Sequence, residues 1–97
     1  MKYNVESNIL TIIMEGELNS FNSEDVEKEI DGVLSQNDIR SIIIDMGDLR
    51  YISSSGLRII VRLKQSYDDT RLIRVPDNIY SIFSMVGFQN IINIERL

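Results

Sequence analysis

The run Ile42-Ile43-Ile44-Asp45-Met46-Gly47-Asp48-Leu49-Arg50-Tyr51-Ile52-Ser53-Ser54-Ser55-Gly56-Leu57 changes character along its length. Three successive isoleucines favour a pleated strand, and a continuously apolar run is the pattern of a strand covered on both faces. Asp45-Met46-Gly47-Asp48 reads as the exit from the sheet, and Leu49 to Ile52 as a short connection. Ser53-Ser54-Ser55-Gly56 then opens a helix, because small hydroxyl side chains accept hydrogen bonds from the free N–H groups of a first turn. Beyond it, Leu57, Ile60, Val61 and Lys64 mark one helical face and Arg58, Arg62 and Gln65 another. A strand leading into a helix is the repeating unit of an α/β fold with a parallel sheet.

The same alternation extends in both directions. Upstream, Ile9 to Met14 is a β-branched run that Gly16 closes, and Lys2 to Val5 can pair with it antiparallel across a Ser7-Asn8 turn. Asn22 and Ser23 offer N-cap oxygens, Glu24 and Asp25 suit the positive end of a helix dipole, and Val26, Ile30, Val33 and Leu34 follow at helical spacing. These signals predict a helix from about Ser23 to Ser35. Downstream, Leu72 to Val75 reads as a strand stopped by Pro76. Asp77 caps a third helix whose buried face is Ile79, Ile82, Phe83 and Val86, and Gly87 ends it in a left-handed conformation. Ile91, Ile92 and Ile94 form a last short strand. The expected fold is α/β, in the order β-β-α-β-α-β-α-β: a mostly parallel sheet with an antiparallel edge strand and three helices.

A chain of 97 residues with 43% hydrophobic and 26% charged residues suits one soluble domain spanning residues 1–97. It has neither cysteine nor histidine, which removes thiol chemistry, the commonest general base and the commonest metal ligand. Asp45 and Asp48 are too few for a metal site, so no metal and no cofactor is expected. No nucleophile–base pair can be assembled, which points to binding instead of catalysis. A net charge of -5 disfavours nucleic acid and anionic membrane surfaces as partners. No apolar run approaches the roughly 20 residues of a bilayer span, and Met1-Lys2-Tyr3-Asn4 lacks a signal-peptide core, so a cytoplasmic monomer or weak dimer is expected. Met85 and Phe88 are assigned to the core.

The serine run is where a function can reside. One of its hydroxyls caps the helix; another is left free at the positive end of the helix dipole. A phosphate added there meets free N–H groups and brings about -1.5 to -2 charges, a large electrostatic change at small cost to the fold. The segment Asp48-Leu49-Arg50-Tyr51-Ile52-Ser53-Ser54-Ser55-Gly56-Leu57 resembles the signature of the STAS family, the anti-sigma-factor antagonists. Gly16-Glu17-Leu18-Asn19 resembles that family's Gly-Glu-Leu-Asp-like turn, and Ile82-Phe83-Ser84-Met85-Val86-Gly87-Phe88 its third-helix ending. The three motifs occur in the family's order and span nearly the whole chain.

The resemblance implies a partner-switching role. The unphosphorylated protein would bind an anti-sigma factor that is a serine kinase with a histidine-kinase-like ATP fold, releasing the sigma factor. Phosphorylation at the start of the second helix would weaken that complex, and a metal-dependent serine phosphatase would restore it. The acceptor carried over onto this chain is Ser54. Ser53 and Asn19 stand where the family has aspartates, which removes two carboxylates from the neighbourhood of the acceptor. Both turns follow carboxyl ends of strands, so a partner-binding rim is expected at Asn19, Ser20, Ser53, Ser54, Ser55, Gly56 and Arg58. An interaction or scaffold domain without a phosphorylation switch is the alternative.

Overall fold

The computed structural model describes all 97 residues. Strand β1 (Lys2–Glu6) turns back into β2 (Ile9–Leu18), and helix α1 (Ser23–Gln36) leads to β3 (Ser41–Ile52). Helix α2 (Ser54–Ser66), β4 (Thr70–Val75), α3 (Asp77–Met85), a 3₁₀ turn at Phe88–Asn90 and β5 (Asn93–Arg96) complete the chain. The five strands form one sheet in the order β1-β2-β3-β4-β5. Only the β1–β2 pairing is antiparallel. The expected fold class and element order are therefore those observed.

The β1–β2 hairpin follows from its turn. Ser7 and Asn8 both take positive φ, 53° and 65°, as a two-residue turn matched to strand twist requires. The Asn8 carbonyl accepts from the Arg40 N–H at 2.8 Å, and its side chain donates to the Asp38 carbonyl at 2.7 Å. The hairpin tip is thereby fastened to the start of β3.

Two strands are longer than their sequence suggested. Gly16 does not close β2. With φ 69° it lies beside a break in the β2–β3 register, and the strand runs on to Leu18. In parallel, Asp45 to Asp48 does not leave the sheet, and Leu49 to Ile52 is not a connection. Both belong to β3, paired through Glu15 with Asp48, Gly16 with Leu49 and Leu18 with Ile52. Burial explains the extension: Met46, Leu49 and Ile52 continue on the core side what Ile42 and Ile44 begin.

The strand order advances in one direction, so right-handed crossovers put all three helices on one face of the sheet. On that face Leu10, Ile12, Met14, Ile42, Ile44, Met46 and Leu72 are buried with Ile30, Val33, Ile59, Ile60, Leu63, Ile79 and Phe83 of the helices. The alternate residues Ile9, Thr11, Ile13 and Ile43 are only half-buried. Strand β3 is thus covered on one face, not two. On its open face Asp45 is held by the Gly47 N–H at 2.9 Å and by Arg74 at 3.2 Å, so this carboxylate is occupied by an ion pair.

The helix faces and ends need smaller corrections. The core stripe of α2 is Gly56, Ile59, Ile60 and Leu63, with Leu57 and Val61 at its margins. Residue Asp77 is the first residue of α3, preceded by Pro76 at the cap position. Gly87 does adopt the left-handed conformation, φ 77°, and Phe88 stacks on Phe83 with ring centroids 5.2 Å apart. Val86 and Met85 face outward instead of into the core, Met85 with 85% of its surface accessible. Ile91 and Ile92 precede β5, which begins at Asn93.

Candidate functional site

The extended β2 and β3 end side by side, and this decides what shares a rim. Leu18 pairs with Ile52, and the Ser53 N–H continues the ladder by donating to the Leu18 carbonyl at 2.8 Å. The turn that begins at Asn19 and the helix that begins at Ser54 therefore start from adjacent points of the sheet.

Helix α2 is capped by Ser53. Its backbone is extended, its Oγ accepts from the Gly56 N–H at 3.4 Å and lies 2.8 Å from the Ser55 Oγ, and its carbonyl accepts from Leu57 N–H at 3.0 Å. Ser54 is the first helical residue and is exposed. Its own N–H and that of Ser55 belong to a first turn and have no intrahelical acceptor. The division of labour is physical: the Ser53 and Ser55 hydroxyls are engaged with each other and with the cap, and the Ser54 hydroxyl is free.

Gly56 is buried, so its part is in packing. A Cβ there would lie 2.8 Å from the Ile52 Cγ1 and 2.9 Å from the Leu18 Cγ and Cδ2. Only the missing side chain lets α2 start this close to the ends of β2 and β3.

The β2–α1 turn is a hydrogen-bonded box. The Asn19 Oδ1 accepts from the N–H groups of Phe21 (2.9 Å) and Asn22 (3.1 Å), and the Asn22 Oδ1 accepts from the Asn19 N–H at 2.8 Å. The Asn22 side chain also donates to the Glu17 carbonyl at 2.8 Å. Asn22 sits at the N-cap of α1, yet its side chain serves the turn and makes no cap bond. Both positions that depart from the motif aspartates retain the oxygen their local geometry needs, since Asn and Asp both suit such turns and Ser and Asp both cap helices.

Between α1 and the first turns of α2 lies a surface cleft of about 350 Å³. Ser20, Ser23, Glu24 and Glu27 line one side, and Ser55, Arg58 and Ile59 the other. Arg58 is exposed and makes no ion pair. One turn further along α2, Arg62 is engaged by the Glu27 Oε2 and the Asp31 Oδ1, each at 2.7 Å. The hydrogen bond that Arg62 donates to Asp31, more than the one it donates to Glu27, holds the pKa of its guanidinium above the ordinary value against a small cost of burial. This pair of contacts ties α1 to α2 beneath the cleft.

The structure thus brings Asn19, Ser20, Ser53, Ser54, Ser55 and Arg58 to one rim, with Gly56 below it. Sequence reasoning passed over Phe21, which stands between Ser20 and Asn22 with 94% of its surface accessible. Its signal was negative: an aromatic residue in a polar turn, in step with neither strand nor helix period.

The STAS domain model matches residues 1–96. The chain belongs to the STAS domain family. This STAS domain is 30% identical over 87 residues to BtrV of Bordetella bronchiseptica, a protein named provisionally as an anti-sigma factor antagonist. The match covers 86% of this chain and 74% of BtrV. Among solved structures, a Thermotoga maritima protein, also named provisionally as an anti-sigma factor antagonist, superposes with a TM-score of 0.87 at 20% identity. That match covers 99% of this chain and 86% of the other. The anti-sigma factor antagonist SpoIIAA in its unphosphorylated form gives 0.78 at 18% identity, covering 96% and 87%. At such identities the likeness of the solved structures establishes the STAS fold. No helix of this STAS domain is long and apolar enough to cross a membrane.

Proposed function

We propose that this STAS domain is an anti-sigma factor antagonist whose rim binds a serine-kinase anti-sigma factor of histidine-kinase-like ATP fold, releasing the sigma factor. Phosphorylation of Ser54 by that kinase switches binding off, and a metal-dependent serine phosphatase restores it. The role is one of binding, without catalysis, in the cytoplasm. The observation that carries the reading is the exposed Ser54 hydroxyl at the first position of α2, beside a cap that Ser53 already supplies. A kinase can reach it, and a phosphate there leaves the cap intact and meets the positive end of the helix dipole. SpoIIAA, which shares the fold, has been solved in a phosphorylated form, which supports the compatibility of the fold with such a charge. Asn19, Ser20, Ser55 and Arg58 complete the contact surface around Ser54.

The test is incubation with purified kinase-fold anti-sigma factor and ATP, followed by mass mapping of the phosphate and titration of both forms against the factor. A phosphate on Ser54 and a weaker phospho-form are expected. A second reading, an interaction domain that no kinase modifies, is favoured by Ser53 and Asn19, which leave no carboxylate at the two motif positions. It takes over if the parent protein binds the factor yet acquires no phosphate and Ser54→Asp binds equally well.

A further inference from the structure

We infer that Phe21 is the apolar anchor of the partner interface, inserting into an apolar pocket bordered by basic side chains on the kinase-fold anti-sigma factor. The inference rests on the binding role proposed above and names the residue and the chemistry that deliver it.

An aromatic ring left almost wholly in water is unfavourable for a free protein, and here nothing in the fold asks for it. Phe21 is not a strand residue, does not belong to the core stripe of α1, and with 94% of its surface accessible is not buried against the apolar cluster. The backbone beneath it is nevertheless held firmly. Its N–H is bonded to the Asn19 Oδ1, and the reciprocal Asn19–Asn22 bonds close the turn on both sides of it. The Asn22 donation to the Glu17 carbonyl ties the turn back to β2. A large ring presented on an ordered turn loses little further backbone freedom on binding, and this is the character of residues that dominate interfaces. The ring stands next to Ser20, on the rim that also carries Ser54.

Charge identifies the occupant. Residues 17–25 hold Glu17, Glu24 and Asp25 and no lysine or arginine; Lys28 pairs with Glu24 and Arg58 stands across the cleft, while Glu17 and Asp25 have no ion pair and the chain as a whole carries a net charge of -5. A second copy of this chain would bring the same acids against them, and like charges facing each other oppose association. A partner with an apolar pocket and a basic border satisfies both the ring and its surroundings.

The experiment is calorimetric titration of the purified kinase-fold anti-sigma factors of the source organism with parent protein, Phe21→Ala, Phe21→Leu and Ser54→Asp, at low and high salt. Phe21→Ala is expected to weaken binding by at least about 30-fold with an unchanged melting temperature, because the ring supports nothing in the free fold. Phe21→Leu should recover most of the loss, and added salt should weaken the parent complex. If Phe21→Ala binds within about threefold of the parent while Ser54→Asp does not, the anchor is refuted and the proposed function stands. If the parent binds none of these factors, both fall. If sedimentation shows Phe21→Ala abolishing self-association and leaving factor binding intact, the ring serves a second copy and the inference is overturned.

Discussion

Replacing Gly56 by alanine tests whether the start of α2 is set by contact with the strand ends. Two effects oppose each other. Alanine is better than glycine inside a helix by about 0.5–1 kcal/mol, and the backbone at Gly56 lies outside the left-handed region, so this gain is available. Against it stands a Cβ placed 2.8 Å from the Ile52 Cγ1 and 2.9 Å from the Leu18 Cγ and Cδ2. Two of these, the Ile52 Cγ1 and the Leu18 Cγ, are bonded directly to their own Cβ, and both side chains are buried, so they have little room to swing away. Overpacking of this kind costs roughly 1–3 kcal/mol. Taken at the middle of both ranges the clash wins, leaving the variant about 1 kcal/mol less stable. For a domain of this size that lowers the melting temperature by roughly 4–8 °C per kcal/mol, readable by circular dichroism. Leu18→Ala is costly by itself because Leu18 is buried, but it removes the struck atoms, so the two changes together should cost less than their sum. A Gly56→Ala protein as stable as the parent, or more so, would refute the packing argument.

Three further expectations follow from the same geometry. Ser53→Ala removes the cap oxygen of α2 and should cost about 1 kcal/mol in urea denaturation, whereas Ser53→Asp should keep the cap and lose little. Arg62→Ala severs the ties to Glu27 and Asp31; screened by solvent, they should be worth about 0.5–1 kcal/mol in all. Because the Arg62 guanidinium is held above its ordinary value, its contribution is complete at every pH below that value and is lost only as pH rises past it. The gap in urea midpoint between this variant and the parent should therefore be the same at about pH 7 and pH 9, and a gap that closes across that range would count against the assignment. Ser54→Asp should weaken factor binding more than about tenfold in calorimetry while leaving the melting temperature unchanged, and Ser54→Ala should bind like the parent.

The element order was legible because each element announced itself locally. Ser7-Asn8 could serve as a tight turn into the β-branched run from Ile9 to Met14, and Ser53 could cap α2 whatever the rest of the chain did. What escaped was decided by pairing between distant segments. Gly16 reads as a terminator, and only opposite Leu49 does its positive φ become a local irregularity inside a longer strand. Ile42 to Ile44 look covered on both faces because three isoleucines have no period; the direction of the crossovers, a property of the whole sheet, opens one face. At the site, Ser54, Arg58 and Asn19 could be named from motif and spacing. The buried position of Gly56 and the exposure of Phe21 could not, because both depend on how closely α2 and the β2–α1 turn approach the strand ends.

Strands that lie in the sheet in the order of their synthesis shape how the chain can acquire its structure. The β1–β2 hairpin closes over two residues, so its pairing requires no long loop to be closed. Each later strand finds its docking edge already made by the strand before it, and none must be inserted between two that have already paired. The entropy of loop closure is met in modest steps, one helix-length connection at a time. Growth from a single edge suits a chain emerging amino end first from the ribosome. The edge awaiting a partner at each stage is the one the next segment will cover, and it is left bare only while the intervening helix is being made.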